Sequence, residues 1–213
     1  MKLLYKDPEK YRGLPSMSIR AISVMDLYLI PSMEVFEWGS GGSTRFFRDR
    51  AHTVYTIEHD QVWFEKIKTA IEYWGLDLEG ECAWLSLIEP IDEPNPEYAT
   101  AKEGFAGWSF EKYAKAIDEY PDEHFDLISV DGRSRSACMR HAYPKLKKGG
   151  LLVLDDANRP QYREARDELD KLDVPYADYP GRIPYLSDAL SVNTCIWIKR
   201  LEEEEQEDDT AKS

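Results

Sequence analysis

The sequence predicts an α/β fold, a mostly parallel sheet covered by helices on both faces. Three observations lead there. Short runs rich in β-branched and aromatic residues alternate with stretches whose apolar residues recur at helical spacing. The positions just after those runs hold glycines and carboxylates, where such sheets bind their ligands. The length, 213 residues, suits one compact domain with a sizeable core and leaves little room for a second.

Residues 1–17 are polar, contain Pro8 and Pro15, and read as an irregular lead-in to a domain spanning 18–201. In 18–30 the apolar residues Ile19, Ile22, Met25 and Leu29 form one helical stripe, ended by Pro31. Residues 33–38 (MEVFEW) form a strand that breaks into GSGGS. A helix over 43–50 follows, with Ser43 or Thr44 placed to cap it. Residues 53–57 (TVYTI) form a second strand. Asp60 caps the next helix, whose Val62, Trp63, Ile67, Ile71 and Trp74 recur at helical spacing until Gly75.

A third strand is predicted over 81–87. The segment 88–108, rich in Pro, Gly and acids, is long for a loop and reads as a lid or a disordered stretch. A short helix (109–120), a strand (125–130), a helix (134–146) and a turn (148–150) come next. They are followed by a strand (151–154), a helix from Pro160 to 172, and a strand (192–198) that could pair with one near 174–179. The tail beyond 201 carries seven acids between Glu202 and Asp209 and is expected to be disordered.

The formal net charge is −14, and the chain stays acidic even without that tail. Such a chain has no general attraction to phosphate backbones, so a small-molecule substrate is expected rather than nucleic acid. Cys82, Cys138 and Cys195 are widely spaced and match no zinc pattern; they read as thiols packed in a reducing compartment. The N-terminal residues lack a signal-peptide apolar stretch, and no run has membrane-spanning length. The expectation is a cytoplasmic protein without a membrane partner.

The chemistry begins at Glu37-Trp38-Gly39-Ser40-Gly41-Gly42-Ser43. Glycines allow a sharp turn and close approach of a ligand, and the following helix points free N–H groups at it. Glu58 ends the second strand, 19 residues after Gly39. A carboxylate there can accept from both ribose hydroxyls. Together they indicate a nucleoside-containing cofactor. No Walker A sequence is present.

The segment VFEWGSGGSTRFF resembles motif I of class I S-adenosylmethionine-dependent methyltransferases, acid-x-Gly-x-Gly-x-small. The resemblance continues through TIEHD (56–60), FDLISVDGRSR (125–135) and LKKGGLLVLDD (146–156), covering roughly residues 33–160. It implies a Rossmann-like three-layer sandwich with a seven-stranded sheet, mostly parallel with an antiparallel last strand. It also implies cofactor contacts at Glu37, Gly39, Ser40, Gly41, Ser43, Glu58, His59 and Asp131. Glu37 suits the cofactor's positive methionine end and would repel a pyrophosphate. That argues against the runner-up, an NAD-linked oxidoreductase. A non-catalytic domain binding S-adenosylmethionine or a nucleoside is the third reading. Gly42-Ser43 departs from the commonest form of the loop.

The implied activity is O-methylation of a small-molecule or sugar-like acceptor. Methyl transfer from a sulfonium needs in-line alignment and often proton removal. Asp131 and Asp155, after the fourth and fifth strands, are the catalytic candidates. Arg133, Arg135, Asn158, Arg159 and Tyr162 are the acceptor candidates, the arginines as clamps for a carboxylate or phosphate. Asp131, Asp155 and Asp156 also resemble the Mg²⁺ ligands of catechol-type O-methyltransferases. Asp156 stands where that family has Asn, and VDGR replaces its VDAD-like sequence. Tyr98, Phe105 and Trp108 could form a lid over the cofactor or local core.

Overall fold

The computed structural model describes residues 13–75, 83–100, 104–184 and 191–201. The acidic tail, the first twelve residues, Cys82 and the predicted start of the third strand lie outside these. Seven strands form one sheet in the order β3-β2-β1-β4-β5-β7-β6. They are β1 (Glu34–Trp38), β2 (Thr53–Glu58), β3 (Ala83–Leu87), β4 (Phe125–Val130), β5 (Leu146–Leu154), β6 (Tyr176–Arg182) and β7 (Ser191–Ile198). Pairings among β1 to β5 are parallel. Only β7 runs against its neighbours, antiparallel to both β5 and β6. The expected mostly parallel seven-stranded sheet with an antiparallel last strand is therefore what forms.

The helices are α1 (Ile19–Tyr28), α2 (Gly42–Arg48), α3 (Gln61–Tyr73), α4 (Glu111–Ala114), α5 (Arg135–Lys145) and α6 (Arg163–Lys171). Two apolar cores sandwich the sheet. One joins Met17, Ile22, Met25, Phe46 and Phe47 to Val35, Val54, Leu127 and Val153. The other joins Tyr113, Ile117, Cys138, Met139 and Leu169 to Phe36, Trp38, Ile128, Leu152 and Trp197. Alternate residues of β1 (Val35 against Phe36 and Trp38) thus serve opposite faces, as the pleat requires. Cys138 and Cys195 are buried free thiols.

Several boundaries differ from the sequence expectation. Ile19 does not belong to the buried stripe of α1 and is 44% exposed. The buried residues there are Ala21, Ile22, Met25 and Leu29, and Ile19 lies roughly 100° from the centre of their arc at 3.6 residues per turn. Val62 lies likewise opposite Ile67 and Ile71 on α3 and faces solvent. Neither Ser43 nor Thr44 is the N-cap of α2, which is Gly41. The Thr44 hydroxyl instead accepts from the Gly41 N–H at 3.0 Å.

The helix expected over 109–120 is one α-turn, α4, followed by a 3-10 turn (Lys115–Glu119). The predicted turn at 148–150 is part of β5, which begins at Leu146 opposite Phe125 with a register shift. Lys147 pairs with Asp126 at 2.9 Å there, so a polar stretch still joins the sheet. Pro160 opens a 3-10 turn (Pro160–Tyr162) ahead of α6 rather than the helix itself. The 88–108 segment is ordered where described: Ile91 bridges Ser109, and Pro96–Tyr98 form a 3-10 turn whose Tyr98 is buried. Tyr98 is therefore core, and Phe105 and Trp108 pack half-buried against the same cluster.

Candidate functional site

Backbone hydrogen bonds carry the parallel ladders past the strand ends and draw four turns together. Gly39 N–H donates to Ile57 O (2.9 Å), Ile88 N–H to Glu58 O (2.8 Å), Asp131 N–H to Trp38 O (3.0 Å) and Asp155 N–H to Val130 O (3.2 Å). The turns after β1 and β4 meet where β1 lies between β2 and β4, the switch point of the sheet. Gly39 has φ +93°, and a Cβ there would stand 2.9 Å from the Asp131 carbonyl. Only glycine permits both that conformation and that approach.

Glu37 is fully buried at the end of β1. Its Oε2 accepts from the Thr44 hydroxyl (2.7 Å) and the Thr56 hydroxyl (3.0 Å). Its Oε1 is buried without a hydrogen-bond partner among the described residues. Burial pushes its pKa up to about 7, against the Ser43, Thr44 and Thr56 hydroxyls, and the Asp131 charge adds to the rise. A buried carboxylate oxygen left open beside a glycine turn fits the positive end of a zwitterionic, sulfonium-bearing cofactor.

Glu58 is also buried, but its carboxylate is fully engaged. Ser40 donates to Oε2 through N–H (3.0 Å) and hydroxyl (2.8 Å). His59 and Asp60 N–H groups donate to Oε1 at 2.7 and 3.0 Å. Burial alone would raise its pKa; the adjoining His59 side chain, then the Asp60 N–H and Ser40, outweigh that and hold it below the usual value. The His59 ring sits 2.8 Å from Oε1 through Nδ1, off the hydrogen-bond direction, beneath Phe105, Phe110 and Tyr113. Ser43 is buried in the first turn of α2.

Beyond β4 and β5, a cavity of about 780 Å³ opens, walled by Gly132, Arg133, Arg135, Arg140, Arg159 and Tyr162. Glu97, Glu164 and Glu168 also line it. Among the described residues the Arg133 side chain makes one weak bond, to Gly132 O at 3.4 Å, and its buried Nε has no partner. Arg135 is turned inward, 6% exposed, with Asp131 Oδ1 2.8 Å from its guanidinium. Asp155 is buried and accepts from the Thr194 hydroxyl (2.8 Å). Burial first, and then the neighbouring Asp131 charge, raise its pKa well above the ordinary range. Asp156 faces Arg159, and Asn158 is exposed outside the cavity lining. A second cavity, about 670 Å³, runs between Ile57, Ile88 and Ile91 and the Lys112 and Tyr120 side.

The Mg²⁺ expectation requires correction. Among the described residues no three acidic, histidine or cysteine side chains converge as metal ligands. The space between Asp131 and Asp156 holds the Arg135 guanidinium, and the Asp155 carboxylate is bonded to Thr194. These residues do not fit a divalent ion. The inward role of Arg135 was not readable from its position at a helix start. Thr194 and Tyr113 were missed altogether: Thr194 is 39 residues from Asp155, and Tyr113 lies in a segment read only as a helix. The Tyr113 hydroxyl is buried, without a hydrogen-bond partner among the described residues, and close against Gly132. Among the described residues no helix is long and apolar enough to cross a membrane.

No family model matches the sequence. No curated protein matches it either. Solved structures do resemble the fold. An rRNA methylase from Streptococcus thermophilus matches at TM-score 0.59 and 13% identity, over 85% of this chain and 95% of that one. SMU.1697c of Streptococcus mutans, in complex with SAH, matches at 0.54 and 12%, over 87% and 99%. A precorrin-6y C5,15-methyltransferase from Geobacter metallireducens matches at 0.52 and 15%, over 93% and 92%. At these identities the likeness speaks for architecture: the chain has the Rossmann-like fold of class I S-adenosylmethionine-dependent methyltransferases.

Proposed function

We propose that this chain transfers a methyl group from S-adenosylmethionine to an oxygen of a small-molecule or sugar-like acceptor. One observation carries the reading. The Gly39 turn abuts the Asp131-Gly132 turn, and Gly132 and Arg133 wall the 780 Å³ cavity. A cofactor held by the first turn would thus have its reactive end beside a cavity of small-molecule size.

In this reading the Glu37 carboxylate, buried just behind the turn, offsets the positive charge of the ammonium and sulfonium end. Gly39, Ser40, Gly41 and Ser43 line the turn, where backbone N–H groups meet the ligand. Glu58 exchanges its Ser40 hydroxyl bond for the ribose hydroxyls, and His59, with Ile88 and Ile91, offers surface to the base. When bound, the cofactor supplies an electrophilic methyl group. The protein's own task is alignment and dryness. Asp131 accepts a hydrogen bond from the acceptor hydroxyl, fixes its lone pair and takes its proton as the new C–O bond forms and the C–S bond breaks. Asp155, buried and bonded to Thr194, is a structural support rather than a base. Arg133, without an ion pair among the described residues, faces an acidic group of the acceptor, while Arg159 and Tyr162 close the wall. The net charge of −14 favours a small molecule over RNA.

The test supplies radiolabelled S-adenosylmethionine with two acceptor pools, hydroxylated sugars and hydroxy acids in one and total RNA in the other. Label in the small-molecule fraction, lost in Asp131→Asn with cofactor binding retained, is the expected result. Label confined to RNA would overturn the acceptor class. Binding without transfer to either would favour the non-catalytic domain.

A further inference from the structure

The carboxylates that end β4 and β5 already have a cation, and it is a side chain. The Arg135 guanidinium lies 2.8 Å from Asp131 Oδ1 and 3.8 Å from Asp156 Oδ2. Its N–H groups also donate to three backbone carbonyls: Gly132 O (3.1 Å), Asp155 O (2.6 Å) and Asp131 O (3.3 Å). The Tyr162 ring covers it at 5.5 Å. Arg159 neutralises Asp156 from outside. Asp155, the third carboxylate, is held by Thr194.

A guanidinium stays protonated at any physiological pH and presents its donors in a fixed plane. A divalent ion entering between these carboxylates would meet a buried positive charge that cannot leave by losing a proton. We infer that Arg135 is the resident cation of this site. It balances the carboxylates, fixes Asp131 beside the cavity, and makes the site independent of divalent metal. Arg135 is thus a positioning residue. For the transfer reaction, and resting on the methyltransferase reading, an acceptor chelated through two adjacent hydroxyls has no place here; the acceptor hydroxyl meets Asp131 with no metal bridge.

The experiment follows the melting of the full-length protein at near-physiological salt in EDTA, Mg²⁺ or Mn²⁺. The wild type is expected to melt at the same temperature in all three. Arg135→Ala is expected to melt lower in EDTA, because its carboxylates lose their counter-charge. It should regain ~5 °C or more once Mn²⁺ exceeds its Kd about 100-fold. Arg135→Lys should keep a cation and show no Mn²⁺ response. A wild-type rise with Mn²⁺ that disappears in Asp131→Asn would overturn the inference, and this arm needs no arginine variant to fold. Folded Arg135→Ala without any Mn²⁺ response would also count against it. None of these arms contains S-adenosylmethionine or its product. Failure of cofactor binding would therefore sink the methyltransferase reading while leaving this result intact.

Discussion

Glu37 shows how a single buried side chain sets stability against ligand capture. An ordinary glutamate titrates at about 4.3. In the fold burial raises Glu37 to about 7. Between these values the folded protein keeps a proton that the unfolded chain has released. Stability from this group is therefore fully present below the lower value and falls as pH rises to about 7; above that the cost is constant. Glu37→Gln should stabilise the free protein at pH 8 by ~1–3 kcal/mol, with no gain near pH 4, measured by urea unfolding. The range is below the full linkage value because the new amide N–H₂ has no acceptor. The same variant should lose most cofactor affinity. In the wild type, affinity for S-adenosylhomocysteine should rise up to about tenfold from pH 6 to pH 8 as Glu37 ionises. A flat affinity profile would contradict the role given to its charge.

At the scale of elements, the ties that matter run between strand ends. Thr194 on β7 donates to Asp155 after β5 and accepts from the Ser18 N–H (3.3 Å) at the cap of α1. One hydroxyl thus joins three elements. Thr194→Val keeps the shape and removes both bonds, leaving a buried carboxyl without its donor. It should cost ~1–3 kcal/mol in urea unfolding with an unchanged m value. A loss within measurement error would show that Asp155 finds another partner. The strands and their alternation with helices were legible because β-branched and aromatic runs such as TVYTI have few other uses. The glycine turn and Glu58 were legible because the backbone demands there are local. The start of β5 was not, since Lys148, Gly149 and Gly150 read as a turn until the Lys147–Asp126 pair brings the stretch into the sheet. Nor was the fate of Arg135, because the carbonyls and carboxylates that surround it meet only when β4 and β5 lie side by side.

At the scale of the whole molecule, the sheet order brings every candidate group to one end. β1 stands between β2 and β4, so the glycine turn faces Glu58 on one side and Asp131 on the other. A cofactor spanning the switch point would touch both, with the cavity beyond Gly132 open to a second substrate. The fold is shared with an rRNA methylase and a precorrin methyltransferase, so architecture alone does not choose the acceptor. That choice rests on the arginine-bearing cavity and the acidic chain. The central claim, that this end of the sheet holds S-adenosylmethionine, meets its most direct test in calorimetric titration of the purified protein with S-adenosylhomocysteine, with NAD in parallel. The account predicts saturable one-to-one binding of the former, weakened at least tenfold in Glu58→Ala, and no binding of NAD. Binding of NAD in its place, or no binding of either by the folded protein, would contradict it.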